Sequence, residues 1–156
     1  MDNNIYMQRH EKQHNCYISE VMGGDGLFAV VCQVEDYEDS GYIWRRLMKK
    51  SLFAFSLMYE SRVMGWLCLD DIDWENRNGR IKGGIRKEFN REVYAGALII
   101  YLEQLLRFCA EELRLKRVWT IVHDNDVLGL KVASALLELE GAASENDILY
   151  FGRILR

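Results

Sequence analysis

The sequence predicts a single α/β (α+β) domain built on a mixed, mainly antiparallel sheet with a central β-α-β crossover and helices on both faces. Three observations carry this prediction. Three apolar, strand-like segments between about 52 and 87 are separated only by short polar turns. A long segment of helical period follows, from about Tyr94 to Arg114. Two further strand-like runs then alternate with a second helix, the order that a crossover produces. The chain of 156 residues is taken as one domain, 1–156, and its 49% hydrophobic and 28% charged residues are ordinary for a packed core with a solvated surface.

In chain order, the first ten residues are open between a strand and a loose arm. Residues 16–50 read as helical, broken at Gly23-Gly24-Asp25-Gly26 and continued by a second helix through Ile43, Trp44, Leu47 and Met48. Its Arg45, Arg46, Lys49 and Lys50 form a basic patch that reads as a solvated helix face. LFAFSLMY (52–59) is a short, aromatic-rich apolar run, as a strand buried on both faces requires. Glu60-Ser61-Arg62 turns the chain into VMGWLCL (63–69), a second strand. The polar stretch DDIDWENRNGR holds Asn78-Gly79, a pair suited to a tight hairpin turn, before IKGGIRK (81–87), a third strand.

In the helix that follows, Leu98, Leu102, Leu105, Cys109 and Leu113 share one face, with Glu103, Arg107, Glu111 and Arg114 opposite. VWTIV (118–122) is a strand, placed parallel to the third by a right-handed crossover. His123-Asp124-Asn125-Asp126 supplies capping residues for VLGLKVASALLELE, and Gly141 is read as ending that helix. DILYFGRIL closes the chain as a last strand.

Composition limits the function. MDNNIYMQRHEKQHN has no apolar stretch of signal-peptide length, and no later run approaches the ~20 residues needed to span a bilayer, so a cytoplasmic protein without membrane contact is expected. Cys16, Cys32, Cys68 and Cys109 are scattered without a CxxC pair, and His10, His14 and His123 show no ligand spacing. No metal is expected, and buried reduced thiols are the better reading. A net charge of −4 disfavours nucleic acid and suits a cationic partner such as an amine.

GWLCLDDIDWENR (65–77), IKGGIRKEF (81–89), CAEELRLKRV (109–118) and VHDND (122–126) fall in an order and spacing that resembles the GNAT superfamily of acetyl-CoA-dependent N-acetyltransferases, nearest the ribosomal-protein-alanine acetyltransferase-like branch. The resemblance covers about 50–141 and implies acetyl transfer from acetyl-CoA to a primary amine (a peptide N-terminus or small amine) by direct attack in a ternary complex. A homodimer is a possible assembly. In such a fold two parallel strands splay apart, and the extended, amide-rich pantetheine arm completes the ladder. The pyrophosphate then meets the N-terminus of the crossover helix.

By position, the resemblance assigns cofactor binding to Ile85, Arg86, Lys87, Asn90, Arg91, Tyr94, Gly96 and Ala97. Asn125 is open between bonding the arm and capping the next helix. The family loop, usually rich in glycine or alanine, is replaced by NREVYAGA, with Arg91, Glu92 and Val93 in place of small residues. Arg80 stands where relatives often carry a catalytic Glu, and Val132 where many carry a Tyr. The remaining candidate bases are His123, Asp71 and Asp73. Trp66 and Trp74 are open between flanking an acceptor groove and filling the core. The rival reading is a catalytically degenerate GNAT-like module that binds a ligand or a protein partner.

Overall fold

The computed structural model describes residues 5–9, 26–31, 51–143 and 147–156. An eight-stranded mixed sheet organises them. Strand β1 (Ile5–Arg9) is an edge, so the open question about the first residues resolves to a strand for that segment, antiparallel to β3 (Ser51–Tyr59). The short β2 (Ala29–Val31) precedes β3 in the chain but joins the sheet elsewhere. β3, β4 (Arg62–Asp73) and β5 (Asn78–Arg86) form the expected antiparallel meander. Helix α1 (Ala95–Glu111), β6 (Arg117–His123), α2 (Val127–Leu136), β7 (Glu138–Ala143) and β8 (Ile148–Ile154) complete the order. Across the sheet the strands run β1-β3-β4-β5-β6-β8-β7, with β2 paired to β5 off this path.

The core lies between α1, α2 and one sheet face. Leu98, Tyr101, Leu102, Leu105 and Cys109 of α1 are buried, and Phe108 meets Phe53 and Phe55 edge-on at 5.4 Å each. The run Glu92–Glu111 is long and apolar enough by length and composition to cross a membrane, contrary to the reading of the bare sequence. Its apolar residues are used instead against the sheet. Tyr101 Oη donates to the Met58 carbonyl at 2.5 Å, locking α1 over β3.

Four element boundaries are corrected. The Asn78-Gly79 pair does not turn the β4–β5 hairpin: both residues belong to β5, and Trp74–Arg77 makes the turn. Asp73 controls it, its carboxylate accepting from Asn76 N (3.0 Å) and Asn76 Nδ2 (2.7 Å), and Arg77 takes the left-handed φ of 56°. Gly141 does not end α2. Leu137 is already extended (φ −122°, ψ 163°), and the segment beyond it pairs with β8 as β7. The Arg117–Glu140 ion pair ties β7 towards β6. Within the stretch read as helical, 29–31 is a strand, its β-branched residues paired parallel with β5 at Gly84–Arg86. Finally, α1 starts after a 3₁₀ turn at Glu92–Tyr94 and ends at Glu111, short of Arg114. The other helical readings in 16–50, with Cys16, Cys32, His10 and His14, lie outside the described residues. They include the basic patch and the helices expected to cover the second face.

Cys68 and Cys109 are buried free thiols, as the composition suggested. Burial pushes both up to about 12, Asp70 adding to the effect at Cys68, so neither is a nucleophile near neutral pH.

Candidate active site

The crossover brings β6 beside β5, but the two pair only over Asn78–Arg80 and Arg117–Trp119. Beyond the Arg80–Trp119 row they part. Thr120 Oγ1 donates to the Ile81 carbonyl at 2.6 Å and pins the apex, while the Arg80 guanidinium lies 5.2 Å from the Trp119 ring centroid. Above this point the opening is not empty. Leu27 N donates to the Ile121 carbonyl at 2.9 Å, and β2 runs parallel to β5 with Ala29, Val30 and Val31 opposite Gly84, Ile85 and Arg86. Gly83 permits the crossing, since a Cβ there would lie 2.2 Å from the Leu27 carbonyl oxygen. The expected free backbone edge at Ile85 and Arg86 is therefore corrected: the chain's own 29–31 occupies it.

At the open end of the split the connections after β5 and β6 face each other. They border a cavity of about 450 Å³ lined by Asn90, Arg91, Glu92, His123, Asn125 and Phe28, together with Asp126, Val127 and Leu128. This is within the size range of small-ligand sites. The start of α1 has no side-chain cap, whereas Asp126 caps α2 by accepting from Gly129 N at 2.9 Å. Burial raises the Asp126 carboxyl above its ordinary range, with the Gly129 N–H and nearby His123 opposing that shift. Asn125 stands beside this cap without being it.

The remaining candidates divide clearly. Asn90, Arg91, His123 and Asn125 come together around the cavity. Lys87 is exposed in the short 3₁₀ turn after β5 and does not line it. Arg86 is committed elsewhere, donating to the Val63 carbonyl at 3.1 Å and pairing with Glu88 at 2.6 Å. Tyr94 packs its ring against Tyr59 and Phe89, and Ala97 is buried in the core, so their side chains do not face the cavity. Gly96 is exposed, and a Cβ there would meet nothing within 4 Å.

The candidate bases occupy three levels of the sheet. Asp70, Arg80 and Trp119 form one row across β4, β5 and β6, level with the apex. Asp71 follows Asp70 in a bulge of β4, with φ 46° and its N–H donating to Asp70 Oδ1 at 2.6 Å. Asp73 lies at the hairpin, away from the split, and its bonds from Asn76 hold its carboxyl below the usual range. That makes it a weak base. His123 ends β6 four residues past the last β5–β6 pair, with Gly26 close to its ring. Trp66 is buried, whereas Trp74 is exposed on the hairpin.

Sequence reasoning missed Phe28 and the strand it introduces. The apolar, β-branched run Leu27-Phe28-Ala29-Val30-Val31 is the signal that could have found them.

No family model matches the chain, and no curated protein matches it. Solved structures do. The chain is similar to a structure described as a probable acetyltransferase, at 21% identity and TM-score 0.73, covering 98% of this chain and 94% of the other. It is also similar to the spermidine N-acetyltransferase from Vibrio cholerae in complex with CoA and spermine, at 12% identity and TM-score 0.75, covering 98% and 96%. A dodecameric form of that Vibrio cholerae enzyme in an intermediate state matches at 12% identity and TM-score 0.73, covering 98% and 95%. The fold is that of the GNAT-type acetyltransferases. At these identities the likeness is one of fold.

Proposed function

We propose that the protein is an acetyl-CoA-dependent N-acetyltransferase. The observation that carries this reading is the parting of two parallel strands above Arg80–Trp119, opening on a cavity lined by Asn90, Arg91 and Glu92 of the connection that leads into α1. An extended amide-rich arm matches the β5 edge in the split, and an anionic end matches Arg91, Asn90 and the start of α1. Asn125 offers a side-chain amide to the arm. The neutral amine attacks the acetyl carbonyl carbon, the C–S bond breaks, and the thiolate leaves as CoA. The amine gives up one proton and the thiolate gains one, so no net charge is created. Proximity supplies much of the rate.

His123, on the β6 side of the split, is the proposed proton acceptor, with Asp71, in the β4 bulge next to the apex row, as the alternative. The acceptor is an amine. A peptide N-terminus is supported by the sequence likeness of 65–77 to the ribosomal-protein branch and by the short turn between β7 and β8. A polyamine is supported by the spermine bound to the Vibrio cholerae neighbour. A cytoplasmic location and a homodimer belong to the same proposal.

Two observations favour a second reading. Glu92 at the cavity and 29–31 on the β5 edge both oppose cofactor entry, as expected of a degenerate binding module. Titration with acetyl-CoA in a calorimeter, followed by assay of CoA release with an N-terminal peptide and with spermine, separates the two. Saturable binding and turnover are expected. Binding without turnover on any amine leaves the module, and absence of binding removes the enzyme.

A further inference from the structure

We propose that residues 26–31 form a self-donated strap that closes the cofactor cleft and must withdraw before acetyl-CoA can bind. The inference rests on the acetyltransferase reading and assigns that site a built-in competitor. A strand edge serves one partner at a time. The β5 edge at Gly84–Arg86, which the pantetheine arm would need, is paired with Ala29–Val31. The strap also spans the gap, because Leu27 N reaches the Ile121 carbonyl on β6 while its own carbonyl approaches Gly83 on β5.

Leu27 and Phe28 are 0% and 1% exposed, so the strap is seated in the core at these two residues. Phe28 extends the same blockade into the cavity, where it stands with Arg91, His123 and Asn125. Yet the attachment is short. β2 is three residues long and, among the described residues, it pairs with β5 alone and the segment reaches β6 through one backbone bond, from Leu27. Such a segment belongs to the low-stability end of a fold, where local opening precedes global unfolding. The apparent affinity for acetyl-CoA is then the intrinsic affinity reduced by the fraction of molecules with the strap out.

Proline scanning of the strap tests this. Successive strand residues direct their N–H groups to opposite edges, so one of Ala29→Pro and Val30→Pro removes a bond to β5, and both impose a φ unsuited to a parallel strand. The proposal expects at least one variant to bind acetyl-CoA ten-fold or more tightly than the unaltered protein. Hydrogen exchange on the unaltered protein is the second measurement. Saturating acetyl-CoA should speed exchange at 27–31 while the amides of 84–86 stay protected.

If acetyl-CoA binds the unaltered protein and both variants equally, with 27–31 as protected as before, the strap is overturned and the acetyltransferase reading stands. If acetyl-CoA binds none of the three, both are overturned. Should the proline variants unfold, the exchange experiment decides alone.

Discussion

Asp126 shows how one residue can belong to a site and to the fold at once. Its carboxylate holds the Gly129 N–H at the start of α2 while lining the cavity together with His123. Burial raises its folded pKa, so the folded state binds more protons than the unfolded chain above the ordinary aspartate range. Its contribution to stability is therefore present at low pH and lost as pH rises through the folded pKa. Asp126→Asn should keep the cap and remove that pH dependence, whereas Asp126→Ala should remove the pH dependence and also the cap, worth about 1 kcal/mol. Denaturant unfolding from pH 3 to pH 8 checks both. Arg91 and Glu92 are adjacent and exposed at the cavity with opposite charges. Arg91→Glu should weaken acetyl-CoA binding by about 1–2 kcal/mol, and Glu92→Gln should strengthen it by about 0.5 kcal/mol at low salt. Calorimetry in 50 mM and 500 mM salt should show both effects shrinking as screening increases.

Among the elements, α1 carries a cost at its C-terminus that its function does not explain. Arg114 takes the left-handed conformation (φ 57°) so that Leu115 N can close the helix onto the Cys109 carbonyl at 2.9 Å. Glycine adopts that conformation without a Cβ penalty, so Arg114→Gly should stabilise the protein by about 0.5–1 kcal/mol, read as a higher midpoint in urea. The element also shows what a sequence can reveal. The burial of Leu98, Leu102, Leu105 and Cys109 was legible because a helix writes its packing as local period. β7 was not legible. Every residue from Glu138 to Gly141 is exposed, so no alternation marks a strand, and its conformation is set by pairing with β8. β2 left a local trace in its apolar, β-branched run, but its pairing did not: its partner Ile85 lies 55 residues away, and no local pattern records which edge such a strand joins.

For the whole molecule, the sequence-predicted residues that gather around the cavity lie on the two connections that follow parallel strands, the positions where open α/β sheets bind ligands. Asn90, Arg91, His123 and Asn125 converge there because the crossover returns β6 beside β5. Arg86, Tyr94 and Ala97 share their neighbourhood in sequence but spend their side chains on Val63, Tyr59 and the core. The same geometry sets the test for the base. Strand rise places His123 about 13 Å beyond the Arg80–Trp119 row, while Asp71 is almost level with it one strand further out. If His123 takes the proton, His123→Ala should lower kcat by about 10²-fold and leave acetyl-CoA affinity unchanged. A fall in acetyl-CoA affinity with kcat intact would instead assign the imidazole to the anionic end of the cleft, beside Arg91. Loss of turnover in Asp71→Asn alone would move the role to the β4 bulge. If both variants retain full turnover, the proton leaves to solvent, and the protein's contribution is to hold amine and thioester together above the apex.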